Sequence, residues 1–151
     1  MYDEDAILDA VVAVIKEEPG YTNETVTKGD PMVLDKGYAK CAIIDSGRID
    51  NMIEDNETPM YYLHARYAPT LRIFYRYTFD EETRRSLRDE TKAMMTRIDS
   101  HPTLHGLVER CYCSSANEPA YLRRINGTGP AYMYREISLS ITRIETLTMN
   151  E

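Results

Sequence analysis

Tryptophan is absent and phenylalanine occurs only twice, so the aromatic content of this 151-residue chain rests on twelve tyrosines. Cysteine is scarce as well. Cys41, Cys111 and Cys113 are odd in number and lack the spacing of a disulfide framework, which fits a reducing compartment. No apolar run approaches the roughly 18 residues of a membrane span, and the opening Met-Tyr-Asp-Glu-Asp offers acids where a signal peptide carries positive charge. Neither a membrane partner nor export is expected. The Asn-x-Ser/Thr triplets at Asn23, Asn56 and Asn126 therefore read as incidental. Positive charge is short too: 18 Lys and Arg face 25 Asp and Glu, a net charge of -7, which argues against a dedicated nucleic-acid binder. Also missing are a Gly-rich phosphate loop, a Gly-x-Ser-x-Gly elbow and a His-Glu-x-x-His pair, and with them the stronger signatures of catalysis.

What is present suits a single globular domain over residues 1–151, with 42% hydrophobic and 28% charged residues. The acids are concentrated early: residues 1–60 hold 14 of them against 5 bases, whereas residues 61–151 hold 11 against 13. Ile7, Val11, Val14 and Ile15 recur at helical spacing and predict a first helix over Asp3–Glu18, stopped by Pro19-Gly20. A connecting region extends from there to Gly37, with Met32-Val33-Leu34 as a short strand inside it. Tyr38–Asp45 reads as a buried strand ending at Ser46-Gly47, and Arg48–Pro59 as an exposed acidic loop.

Two tyrosine-rich strands are expected at Met60–Ala68 and Leu71–Phe79, parted by Pro69, the second with Leu71, Ile73, Tyr75, Tyr77 and Phe79 on one face and Arg72, Phe74, Arg76 and Thr78 on a basic outer face. It runs into Thr78-Phe79-Asp80-Glu81, a capping-box pattern in which Asp80 is an equally good cap. A second helix spans Asp80–Asp99, with Leu87, Thr91, Met94, Met95 and Ile98 inward and Arg84, Arg85, Arg88 and Lys92 outward. Leu104–Cys113 reads as strand and Ser114–Pro119 as loop. Ala131–Glu145 is the last long strand, and Ala120–Ile125 forms a hairpin with it through the turn cluster Asn126-Gly127-Thr128-Gly129-Pro130. The fold class that accommodates this order is α+β, a mixed or antiparallel sheet with two main helices packed on one face.

Chemistry-bearing clusters are sparse. His101, His105, Cys111 and Cys113 are zinc-type ligands, but Pro102 disfavours the helix that would bring the two histidines together, so no metal, cofactor or catalytic residue is assigned. Carboxylate pairs such as Asp3/Asp5 and Glu81/Glu82 fall where helix N-termini attract acids anyway. Tyrosine together with arginine, which supplies 13 of the 18 bases, matches what protein–protein interfaces enrich, although tyrosine in place of tryptophan inside a sheet explains the same pattern.

Taken over nearly its whole length, this layout resembles the tail terminator proteins of long-tailed bacteriophages. The features that carry the resemblance are the helix at Asp3–Glu18, the strand at Tyr38–Asp45 with the acidic loop after it, and the strand Leu71–Phe79 entering helix two. The stretch Ile98–Val108, a variable loop and the closing strand Tyr132–Glu145 complete it. Such proteins form a hexameric ring on the head-proximal end of the tail tube, stop its growth and present a surface for head joining. The resemblance thus implies a non-enzymatic virion protein, assembled in the host cytoplasm, whose partners are copies of itself, the tail tube protein, a head-completion or connector protein and the tape measure protein, with DNA only as passing cargo. It also implies that function lies in surfaces. Asp50, Glu54, Asp55 and Glu57 are the expected stacking or lumen surface, and Arg84, Arg85 and Arg88 the expected lateral contact. A head-side neck protein and a small cytosolic enzyme are the rival readings.

Overall fold

The computed structural model describes residues 2–52, 62–78, 80–122 and 131–146, the side chains of Met52, Tyr62, Leu63 and Thr146 excepted. Helix α1 spans Glu4–Ile15. The Asp3 carboxylate accepts the Ala6 N–H at 3.1 Å, Glu4 and Asp5 complement the positive end of the helix, and Ile7, Leu8, Val11, Val14 and Ile15 form its buried stripe. The last turn tightens through Glu17 N–H to the Val14 carbonyl and Glu18 N–H to the Ile15 carbonyl before Pro19 and Gly20 turn the chain away.

A three-residue strand β1, Val26–Lys28, and a 3-10 helix, Pro31–Lys36, come next. The short strand expected at Met32–Leu34 is thus helical, because Asp30 caps it through the Met32 N–H and Pro31 stands at its first position. Strand β2 covers Lys40–Met52 and β3 covers Tyr62–Arg76. Both outrun the sequence expectation, β2 passing through Ser46-Gly47 and β3 through Pro69.

One device explains both. Between the pairs Asp45↔Thr70 and Arg48↔Ala68, two β2 residues, Ser46 and Gly47, stand opposite the single residue Pro69, a β-bulge that accommodates a proline with no N–H to give. Gly47 is required there. A Cβ on it would lie 1.7 Å from the Ala68 carbonyl oxygen.

Helix α2 runs Asp80–Asp99, the span the periodicity predicts, with Thr83, Leu87, Thr91, Met94 and Ile98 buried and Met95 packed at the margin. The expected box between Thr78 and Glu81 is replaced: the Thr83 hydroxyl accepts the Thr78 N–H at 3.1 Å, and Asp80 sits inside the first turn. The chain then turns before β4, Arg110–Ala116, which starts later and ends later than expected. Leu104, His105 and Gly106 are all left-handed, at φ 47°, 59° and 86°, and the backbone departs from strand geometry to bury Leu104. Strand β5, Ala120–Leu122, pairs antiparallel with β6, Tyr132–Thr146, as a hairpin would; its expected turn lies outside the described residues.

The fold is α+β, with a mixed sheet ordered β1-β2-β3-β6-β4 and β5 beside β6; among the described strands only β1–β2 is parallel. Both helices pack on one face. Their stripes meet Ala42, Ile44, Ala65, Tyr67, Leu71, Ile73, Met133, Ile137, Leu139 and Ile141 in one continuous core. On the other face the 3-10 helix caps a smaller cluster of Val33, Cys41, Ile43, Phe74 and Tyr132 at the lower end of the sheet. Phe74, on the outer face of β3 as expected, is covered there, tilted against Tyr134 at 5.3 Å and edge-on to Tyr132 at 6.3 Å.

Candidate functional site

The two helices divide the sheet between them: α1 contacts β1 and β2, and α2 contacts β3, β6 and β4. Charge follows this division. The solvent side of α1 is acidic through Asp3, Asp5 and Asp9, and the single Lys28 matches both Asp5 and Asp9, at 3.8 and 2.6 Å. On the opposite flank Arg85, Arg88 and Lys92 of α2 line one shallow depression with Arg135 of β6, and Asp89 is the one acid in that lining. Arg135 is held there because its Nε–H donates to the Asn117 carbonyl at 2.7 Å.

The predicted arginines do not all act alike. Arg85 reaches Glu81 at 3.5 Å across one turn, in full view of solvent, and Arg88 is exposed beside it. Arg84 points elsewhere. It pairs with Asp80 at 3.1 Å, and Asp80 also accepts a very short hydrogen bond from the Tyr121 hydroxyl. That hydroxyl first, and then Arg84, hold the Asp80 carboxyl below its usual range, while the bond to Asp80 pushes the Tyr121 phenol up to about 12. Asp80 therefore ties α2 to β5 with Arg84 beside it, and the basic depression is lined by Arg85, Arg88, Lys92 and Arg135.

Of the predicted acidic surface, Asp50 lies on β2 rather than in a loop, opposite Arg66 and bonded to Arg48 at 2.7 Å. Glu54, Asp55 and Glu57 lie outside the described residues. Arg48, Asp50 and Arg66 share the sheet face away from the helices, and no described helix covers its upper part. There Arg72 bridges Asp45 at 3.3 Å and Glu136 at 3.2 Å, Arg66 donates to the Ser140 hydroxyl at 3.1 Å, and Arg110 lies 4.6 Å from the Tyr112 ring. This face is polar, of both signs and internally paired.

The tyrosines mostly serve the fold. Tyr21, Tyr67 and Tyr132 are buried, and the Tyr67 hydroxyl donates to the buried Glu145 carboxylate at 2.7 Å. Tyr75 donates to Glu90 at 3.1 Å in a cluster that also holds Lys40 at 3.4 Å from Glu90. Burial pushes the phenols of Tyr21, Tyr67 and Tyr75 far above their usual range. Only Tyr2 and Tyr121 of the described tyrosines are largely exposed. The cysteines are free, and burial pushes the thiols of Cys41 and Cys111 up to about 12 and that of Cys113 higher still, so thiolate is scarce at neutral pH. Cys111 and Cys113 point into the helix-covered face and Cys41 into the other.

His101 and His105, which no helix joins, are brought together by the left-handed turn, ring centroids 5.0 Å apart. Glu17, from the end of α1, meets them there. No described helix is long and apolar enough to cross a membrane. Comparison of the chain with profiles of known protein families gives no match, and comparison with curated proteins gives none either.

Proposed function

We propose that this chain is a ring-forming structural virion protein of the tail-terminator type. It would cap the head-proximal end of the tail tube of a long-tailed bacteriophage, stop tube growth and offer a surface for head joining. The reading rests on the resemblance in layout and is supported by one feature of the surface: the acidic flank carried by α1 and the basic flank carried by α2 and β6 lie toward opposite edges of the sheet. A closed ring with head-to-tail contacts needs two different, complementary patches on each subunit, and opposite charge is the simplest way to make wrong pairings unfavourable. The partners are further copies of the chain, the tail tube protein below and a head-completion protein above; no catalytic residue is assigned.

A charge exchange tests the reading. Reversing the basic flank alone (Arg85→Glu with Arg88→Glu) or the acidic flank alone (Asp5→Lys with Asp9→Lys) should abolish rings in negative-stain images and light scattering. All four changes in one chain should restore them, because the patches are then exchanged rather than lost. Purified rings should also halt extension of tail tubes in solution. A wild-type protein that stays monomeric at high concentration and ignores tail tubes sinks the proposal.

A further inference from the structure

We propose that Glu17, His101 and His105 form a binding site for a divalent transition-metal ion of the zinc class, held by three protein ligands with a fourth position open to water. The carboxylate oxygen and one ring nitrogen from each histidine all lie within 4.8 Å of one another. Glu17 Oε2 and His101 Nε2 are already 2.8 Å apart. Two imidazoles and a carboxylate are a donor set that zinc takes readily, at about 2.0–2.2 Å to each atom, which places tetrahedral ligands roughly 3.3 Å apart. The rearrangement is small. The Glu17–His101 pair opens by about half an ångström and His105 closes in, and these side chains reach solvent, so their torsions can adjust.

The backbone accounts for the juxtaposition. Leu104 and His105 are the non-glycine residues with positive φ among those described, and Leu104 is anchored in the core at 2% exposure. With that anchor fixed, the left-handed conformation of His105 swings its ring back onto His101, at a ring angle of 44°. Among the described residues the His105 side chain makes ring contact but no hydrogen bond, so its nitrogens are available to a ligand. Arg97 of the adjoining turn of α2 is already occupied: its Nε–H donates to Glu18 at 2.9 Å.

Glu17 and His101 stand 84 positions apart, and the ion would clamp the end of α1 to the turn after α2. Because only the folded chain assembles the three ligands, binding should also raise the thermal midpoint. The proposal is independent of ring formation and applies to the chain in any oligomeric state.

Chelator-treated full-length protein titrated with zinc chloride in a calorimeter should take up about one ion per chain with micromolar affinity, and excess zinc should raise the melting temperature. His105→Asn, which tolerates the left-handed backbone, and Glu17→Gln should each weaken binding by at least about tenfold and remove the thermal shift, with circular dichroism unchanged. Cobalt in place of zinc should give the absorption of a tetrahedral nitrogen and oxygen site. Absence of saturable binding, binding unaffected by both variants, or a thiolate-to-cobalt charge-transfer band from the cysteines would each overturn the proposal.

Discussion

On one face of the sheet, two helices bury a continuous core that runs from Ile7 to Ile141; on the other, a 3-10 helix and a few aromatic rings cover only the lower end. The upper end of that second face carries Arg48, Asp50, Arg66 and Arg72, paired among themselves and with neighbours. The helix-covered face holds most of the cohesion, so the other can change its chemistry with little effect on folding. A surface protein that must fit several neighbours gains from such a separation of duties, since burial on one side leaves the composition of the other free.

Mutations can test how far the separation extends. The largest effect is expected where both faces depend on one atom. Gly47→Val places carbon where the Ala68 carbonyl already sits and should destabilise the fold by about 4 kcal/mol or more in urea titration, disturbing both faces at once. A variant as stable as wild type would mean that the bulge is loose. Next, Leu71→Ala in the helix-side core should cost about 2–5 kcal/mol, whereas Val33→Ala on the buried side of the 3-10 helix should cost about 1.5 kcal/mol. Equal losses would erase the distinction between the faces.

The thiols offer a kinetic form of the same contrast. Cys41 and Cys111 are equally buried and both pushed up to about 12, so at pH 8 each should react with a thiol reagent only when its surroundings open. Cys41, under the smaller cover, should be labelled first in mass-spectrometric time courses.

The smallest effect is electrostatic and falls at the start of α2. With its carboxyl held below the usual 3.8, Asp80 binds a proton less readily in the folded chain than in the unfolded one. Its contribution is therefore present above pH 3.8 and fades as the pH falls through the lowered value. In the Asp80→Asn variant the stability difference from wild type should hold steady well above pH 3.8 and shrink as the pH falls below it, the wild type losing its advantage. A difference that stays constant with pH would show that the loss is one of packing.

Much of the architecture is legible in the chain. Helix α2 has its predicted limits because Leu87, Thr91, Met94 and Ile98 keep one period while charges fill the rest, and β6 follows from the alternation of Ile137, Leu139 and Ile141 with Ser138, Ser140 and Thr142. The extensions of β2 and β3 are not legible. Glycine and proline signal chain reversal when read locally, and only the cross-strand partner reveals that Gly47 and Pro69 cancel each other in a bulge. Likewise the periodicity that turns Arg85, Arg88 and Lys92 outward cannot say that Arg135 of a distant strand joins them. Glu17 has no sequence neighbour among the histidines, and the turn that assembles the three depends on burying Leu104. That Arg84 shares its partner Asp80 with Tyr121 is not legible either, because Tyr121 is 37 positions later, on a hairpin strand whose neighbour across the helix the pattern does not name.

The extra residue in β2 acts as a change of phase. Below it the odd positions Cys41, Ile43 and Asp45 look away from the helices; above it the even positions Arg48 and Asp50 do. Were Ser46 and Gly47 both to continue the regular alternation, the strand beyond would slip by one residue, sending Arg48 and Asp50 toward the helices and delivering Ile49 and Asn51 to the outside; deleting one of the two would instead leave each later residue opposite its present β3 partner. The character of that outer surface is thus written in a count of residues as much as in their identities.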